Sequence, residues 1–210
     1  MNEKCEIAVL ISGSGKTLQG LIDHIAKGEL NASIKIVISD QKEAYGLERA
    51  EKANIPVGVI HAKDYSKHAF EEELKASLIQ SGAKLIVLAG FMRILSPQFV
   101  RAFQGRILNI HPSLLPKYPG LHTYERALAA GEKEHGSTVH IVTETLDLGP
   151  IILQKQIPIL PHDTKETLKA RTQALEYTLY SEALRLFLSQ RCANLLYSDL
   201  SATKNSCHLD

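Results

Sequence analysis

Short aliphatic, β-branched runs alternate along the first half of the chain with longer segments whose apolar residues recur at helical spacing. The runs are Glu6 to Ser12, Ile34 to Ser39, Val57 to Ile60, Lys84 to Ala89 and Arg106 to Ile110. Between them lie Thr17 to Lys27, Tyr45 to Ala53, Ser66 to Gln80 and Ser96 to Phe103. Such alternation predicts the α/β class: a doubly wound, mostly parallel sheet with helices on both faces. Ser66 and Ser96 stand where N-caps belong, and Pro97 occupies a first helical position, where a missing N–H costs nothing. Gly28, Gly82 and Gly105 are placed to close helices.

After His111 the pattern changes. Thr123 to Ala130 reads as a short helix ended by Gly131, followed by strands at Thr138 to Thr143 and Ile151 to Ile157 with little helix between them. An antiparallel addition in the C-terminal half is therefore expected. Lys165 to Gln190 is a long amphipathic helix, and the polar segment from Arg191 is expected to be an irregular tail with mobile last residues. Residues 1–190 are read as one domain, its halves meeting near residue 110, and 191–210 as the tail.

Composition narrows the function classes. Lys and Arg number 24 against 23 Asp and Glu, a formal charge of +1, with no basic block to meet a nucleic acid or a membrane surface. An anionic ligand must be met locally. Cys5, Cys192 and Cys207 are far apart and lack Cys-x-x-Cys spacing, so neither a disulfide framework nor a structural zinc site is expected. The opening Met-Asn-Glu-Lys-Cys-Glu leads straight into a strand, without the apolar core of a signal peptide. A reduced, cytoplasmic enzyme is expected, as a monomer or homodimer.

The chemistry concentrates in Asn109-Ile-His-Pro-Ser-Leu-Leu-Pro116. Positions i and i+2 of a strand share a face, so Asn109 and His111 project together while Ile110 turns back into the apolar layer. Pro112 ends the strand and leaves the pair at its carboxyl edge, where open α/β sheets place their ligand crevice. A His beside a Pro at a strand end is also a common structural hydrogen-bonding residue. Asp147, in Leu146-Asp-Leu-Gly-Pro150, is either a turn-former or a carboxylate aimed at that imidazole, where its charge is expected to favour the imidazolium and raise the His111 pKa. An amide donor, a titratable donor and an orienting carboxylate suffice to stabilise an oxyanion and move a proton.

Ser12-Gly13-Ser14-Gly15-Lys16-Thr17 follows the first strand and opens a helix, which suits an anion at the positive helix terminus. A nucleotide P-loop needs Gly at position 10, where Leu10 stands. A dinucleotide fingerprint needs a third Gly where Leu18 stands. A phosphate ester fits better than either. His135 and His140 raise the question of a metal, but no Cys or carboxylate lies at ligand spacing, and none is expected.

The Asn109 to Pro116 segment continues as Lys-Tyr-Pro-Gly-Leu-His122-Thr and resembles the folate-dependent formyltransferases. The likeness runs from Ile11-Ser-Gly-Ser-Gly through Leu88-Ala-Gly-Phe-Met-Arg-Ile-Leu-Ser-Pro97 and Glu134-His-Gly-Ser-Thr-Val-His140 to Leu146-Asp-Leu-Gly-Pro150 and the region near Glu176. It implies a Rossmann-like formyltransferase fold with a phosphate-binding half at 1–110 and a folate and catalytic half at 111–190. It also implies formyl transfer from 10-formyltetrahydrofolate to the amine of glycinamide ribonucleotide. By the same resemblance Asn109, His111 and Asp147 are catalytic, and Gly13, Ser14, Gly15, Lys16 and Thr17 hold the substrate phosphate. Met92, Arg93, Ile94 and Leu95 would line the pterin pocket together with Asn109 and Asp147, although by composition alone Phe91, Met92, Ile94 and Leu95 are core residues. Lys67 and Glu176 would contact phosphate and amine, where each would otherwise pass as a solvated helix-face charge. Many members carry Asn-Gly-Ser-Asn where this chain has Ser14-Gly-Lys-Thr17, which weakens the carry-over at Lys16 and Thr17. Two relatives with this core, methionyl-tRNA formyltransferase and formyltetrahydrofolate hydrolase, carry an additional C-terminal or N-terminal domain that is not expected here.

Overall fold

The computed structural model describes residues 4–204, and side chains through Gln190. Seven strands form one sheet in the order β3-β2-β1-β4-β5-β6-β7. The parallel part comprises β1 (Cys5–Ile11), β2 (Ala32–Ser39), β3 (Val57–Val59), β4 (Leu85–Leu88) and β5 (Ile107–His111). β6 (Glu134–Ile141) and β7 (Ile151–Pro158) add to it antiparallel. The predicted fold class is therefore observed.

Alternate residues of β1 feed two cores, as a strand covered on both faces requires. Ile7, Val9 and Ile11 pack with α1 (Lys16–Ala26), α2 (Tyr45–Lys52) and α6 (Lys165–Lys204). Ala8 and Leu10 pack with α3 (Lys67–Gln80) and α4 (Pro97–Ala102) on the other side. Ser66 and Ser96 cap α3 and α4 by accepting from Ala69 N and Phe99 N. Tyr180 of α6 is fully buried and donates its hydroxyl to the Leu108 carbonyl at 2.8 Å, which docks the helix on β5.

Two expectations need correction. β6 begins at Glu134 rather than Thr138 and ends at Ile141 rather than Thr143. Gly136 and the polar residues around it hid the strand start. Yet Gly136 pairs with Gln156, and a Cβ there would lie 2.1 Å from the Lys155 carbonyl oxygen, so the ladder itself demands glycine. The segment after Arg191 is not irregular: α6 stays helical through Lys204. That stretch contains neither Gly nor Pro, so nothing in it stops a helix already begun. The expected mobility of the last residues falls at 205–210, outside the described residues.

The strand order reverses between β1 and β4, each of which feeds a helix on an opposite face. Loops leaving their carboxyl ends diverge there and open the crevice in which such sheets take ligands. α5 (Thr123–Ala129) follows the loop from β5.

Candidate active site

Asn109 lies directly opposite His140 in the antiparallel ladder, so both side chains stand on one face of the sheet. The Asn109 amide donates from Nδ2 to His140 Nε2 at 3.2 Å, and His140 Nδ1 donates to the Ile141 carbonyl at 3.1 Å. This network assigns the proton of His140 to Nδ1. Asp147 Oδ1 stands 3.6 Å from His140 Nε2, and its Oδ2 stands 3.4 Å from His111 Nδ1. Asn109, His111 and Asp147 therefore converge as expected, with His140 between two of them. The sequence reading considered His140 only as a metal ligand. Its spacing of five from His135 places the two on opposite faces of a strand, and parity alone could have separated their roles.

The opposite nitrogen of His111, Nε2, donates to the Tyr118 carbonyl at 2.9 Å. Asp147 Oδ2 also accepts from the Gly120 N–H at 2.8 Å. Tyr118 and Asp147 both adopt left-handed backbone, with φ of 56° and 54°, a conformation non-glycine residues hold only when the surroundings impose it. Those surroundings are visible. Thr138 Oγ1 donates to the Ser113 carbonyl at 2.7 Å and accepts from Leu115 N at 3.1 Å. Gln154 donates to the Leu115 carbonyl at 3.0 Å, and Ser113 Oγ donates to the Lys117 carbonyl at 2.7 Å. On the other loop, a Cβ at Gly149 would lie 1.7 Å from the Ile141 carbonyl oxygen, so the turn carrying Asp147 sits against β6 only because glycine is there. Asp147 is buried between the exposed Leu146 and Leu148.

The electrostatics overturn one expectation. Asp147 was expected to hold His111 as an imidazolium. Burial pushes the His111 pKa down, and this outweighs the upward pull of the Tyr118 carbonyl and Asp147, so the net shift is below the ordinary 6.5. For Asp147, burial pushes up, but the His140 ring, the Gly120 N–H and the His111 ring together hold the carboxyl below its ordinary value. Each ring nitrogen of His111 thus faces an acceptor, the Tyr118 carbonyl at Nε2 and the Asp147 carboxylate at Nδ1, while burial works against the charged ring.

The glycine loop lies at the same carboxyl edge. Gly15 is left-handed, with φ 66°, and the first intrahelical bond of α1 runs from Gln19 N to its carbonyl at 2.9 Å. The N–H groups ahead of Gln19 thus lack intrahelical acceptors. Gly13, Ser14 and Thr17 belong to this turn, and Lys16 Nζ donates to Gln173 Oε1 of α6 at 3.2 Å. The loop is joined to the β4 turn: Ser12 N donates to the Gly90 carbonyl at 3.1 Å, and Met92 N donates to Ser12 Oγ at 2.8 Å. Within that turn Phe91 is buried and Leu95 packs half-buried against the core. Met92 and Ile94 are exposed, against the composition reading of core residues. Arg93 lies over the Phe70 ring at 4.9 Å.

Glu176 is not a solvated helix-face charge. It is buried against β6, accepts from Ser137 Oγ at 2.8 Å, and burial raises its pKa to about 7, against the downward pull of that bond. Lys67 is exposed at the start of α3 and contacts none of the other candidates. Among the described residues no group of three His, Cys, Asp or Glu has metal-holding geometry.

The formyl transferase family profile matches residues 5–184. The chain belongs to the formyl transferase family. It is 48% identical over 205 residues to the phosphoribosylglycinamide formyltransferase of Haemophilus influenzae, covering 96% of this chain and 97% of that protein. The solved phosphoribosylglycinamide formyltransferase of Coxiella burnetii superposes with a TM-score of 0.85 at 52% identity, over 90% of this chain and 89% of that one. Glycinamide ribonucleotide transformylase 1 of Symbiobacterium toebii gives a TM-score of 0.88 at 45% identity, over 91% of each chain. In this formyl transferase the Asn109, His111 and Asp147 cluster and the glycine loop lie at the same carboxyl edge of the sheet.

Proposed function

We propose that this formyl transferase moves the formyl group of 10-formyltetrahydrofolate onto the primary amine of glycinamide ribonucleotide. The observation carrying the proposal is the convergence of Asn109, His111 and Asp147 on the crevice that the glycine loop borders. The ribonucleotide phosphate is met by the N–H groups of Gly13 to Thr17, with Lys16 adding charge. Exposed Met92 and Ile94 of the β4 turn, with Arg93 and Leu95 behind them, offer the apolar slot a flat pterin ring needs. Glu176, with its pKa raised to about 7, carries its proton about half the time near neutrality and is assigned to the amine of the acceptor.

As the amine attacks, charge grows on the formyl oxygen. Asn109 has a second amide N–H to aim there, and neutral His111 has Nε2–H. The Tyr118 carbonyl holds that N–H in the free protein, so the loop carrying Tyr118 must release it when the folate binds. The amine gains an N–C bond and loses a proton to the Asp147 and His111 pair, where His111 Nδ1 is the empty position and the carboxylate stabilises the imidazolium that results. The C–N10 bond breaks as that proton returns to N10, giving the formylated amide and tetrahydrofolate.

The test follows folate absorbance with and without glycinamide ribonucleotide. A change that requires the ribonucleotide, with formylated product in equal amount, is expected. A change of the same rate without it would make the protein a hydrolase, and no change would withdraw the proposal.

A further inference from the structure

The loop proposed to bind phosphate does not hold its own shape. Two carbonyls of the loop are taken up by α2, an element that no proposed ligand contact uses. Gly46 N donates to the Gly13 carbonyl at 3.0 Å, and Arg49 Nε donates to the Ser14 carbonyl at 2.8 Å. Arg49 also reaches Gln19 Oε1 from Nη1 at 3.0 Å, and its guanidinium lies over the Tyr45 ring at 4.9 Å. The approach is close because both facing residues are glycine. A Cβ on Gly15 would lie 2.6 Å from Gly46 Cα, and one on Gly46 would lie 2.5 Å from Ile11 Cδ1.

A trans peptide unit is planar, with its C=O and N–H on opposite sides. Fixing the Gly13 carbonyl toward α2 therefore turns the Ser14 N–H away from α2, and fixing the Ser14 carbonyl does the same for the Gly15 N–H. Free carbonyls in this loop could swing toward the anion and repel it. We propose that Arg49, assisted by Gly46, is the positioning residue of the phosphate site: it locks the loop carbonyls outward so that successive N–H groups converge on the phosphate monoester. The fixed guanidinium charge one peptide unit behind the loop adds long-range attraction for a dianion. Gln19 extends the brace, since its amide donates to Asp23 Oδ1 at 2.9 Å and Asp23 accepts from the Tyr177 hydroxyl of α6. α2, α1 and α6 are thereby tied around the loop. Arg49 acts through the backbone rather than by touching the ligand.

This inference rests on the assignment of the loop to the substrate phosphate, so the experiment separates the two. Inorganic phosphate binding is measured by titration calorimetry on the wild-type protein, Arg49→Gln and Arg49→Lys. Steady-state constants are measured with glycinamide ribonucleotide and with its dephosphorylated nucleoside. Arg49→Gln is expected to weaken phosphate and raise the ribonucleotide KM by about tenfold, the value of one hydrogen bond to a charged donor. The folate KM, kcat at saturation and the nucleoside kcat/KM should stay within about twofold, a change of under half a kcal/mol. Arg49→Lys should recover part of the loss, because an ammonium reaches one carbonyl but cannot bridge Ser14 and Gln19 together. Equal loss toward nucleotide and nucleoside, or a ribonucleotide KM unchanged in Arg49→Gln, would overturn the inference. Wild-type protein that binds no phosphate overturns it together with the loop assignment. Phosphate binding weakened by Arg49→Gln in a protein without transferase activity would uphold Arg49 and remove only the proposed reaction.

Discussion

The two sides of the crevice are built by different means. On the β1 side, backbone and glycine shape the site: Gly15 supplies the left-handed turn, and Gly46 lets α2 come within bonding distance. On the β5 and β6 side, side chains take the larger part, with Thr138, Gln154 and Ser113 holding one loop, while Gly149 and a buried carboxylate anchor the other. The first side can bind an anion with dipoles that carry no titrating group. In the proposed reaction the second side changes protonation, and it holds groups whose pKa values are displaced, that of His111 by burial and that of Asp147 by its hydrogen bonds against burial. In the proposed reaction one side recognises the phosphate and the other carries the chemistry.

The sharpest way to break this contrast is to disable the catalytic side alone. His111→Ala and Asp147→Asn should each lower kcat by about 100- to 1000-fold while folate binding, followed by fluorescence titration, holds. Asp147→Asn should also lower the His111 pKa further, because the carboxylate is one of the groups that raise it. NMR titration of the imidazole reads this. A His111 that titrates alike in both proteins would uncouple the pair.

Glu176 tests whether burial alone sets the charges of this half. Its pKa rises from 4.5 to about 7, so between those values the folded protein keeps a proton that the unfolded chain has lost. Stability should therefore decline as pH rises through that window, and Glu176→Gln should remove the decline, gaining on the order of 3 kcal/mol above it. Denaturant unfolding at pH 5 and pH 8 measures the difference, and equal slopes in both proteins would refute it. His111 carries the opposite sign. With its pKa lowered, its share of stability is lost as pH falls below 6.5.

Matched glycine changes sharpen the comparison. Gly149→Ala forces a Cβ into the Ile141 carbonyl and should cost about 1–3 kcal/mol, with kcat falling as the Asp147 turn shifts. Gly15→Ala meets both a left-handed φ and Gly46, and should raise the ribonucleotide KM with little effect on kcat. If the two variants exchanged these kinetic signatures, the division of labour between the sides would be wrong. The smallest effect is expected at Arg101, whose ion pair with Glu144 joins α4 to the Asp147 loop at 2.5 Å with both partners exposed. Arg101→Ala should change stability by less than about 1 kcal/mol, measured by thermal unfolding.

Much of this was legible in the residues. Strand and helix periodicity located β1 to β5 and α1 to α4 because each is a local pattern, and Ser66, Ser96 and Gly15 mark boundaries by chemistry within a turn or two. Asn109 and His111 fall on one face through the two-residue strand period alone. The strand at Glu134 escaped because Gly136 carries no pattern, and its need for glycine comes from Lys155 on the neighbouring strand. The helix beyond Arg191 escaped because polarity was read as disorder where no breaker stands.

What only the tertiary structure decided is who faces whom and in what charge state. His140 enters the site through the antiparallel register that sets it opposite Asn109, a choice among registers that neither strand makes by itself. The direction of the His111 shift was misjudged from sequence because the attraction of Asp147 is visible in residue types, whereas the desolvation that outweighs it depends on packing from loops distant in the chain. Arg49 reads as an ordinary helix cation until α2 is placed against the loop. Local periodicity determined the elements and the edge at which the chemistry sits. The balance of burial against charge was decided where those elements meet.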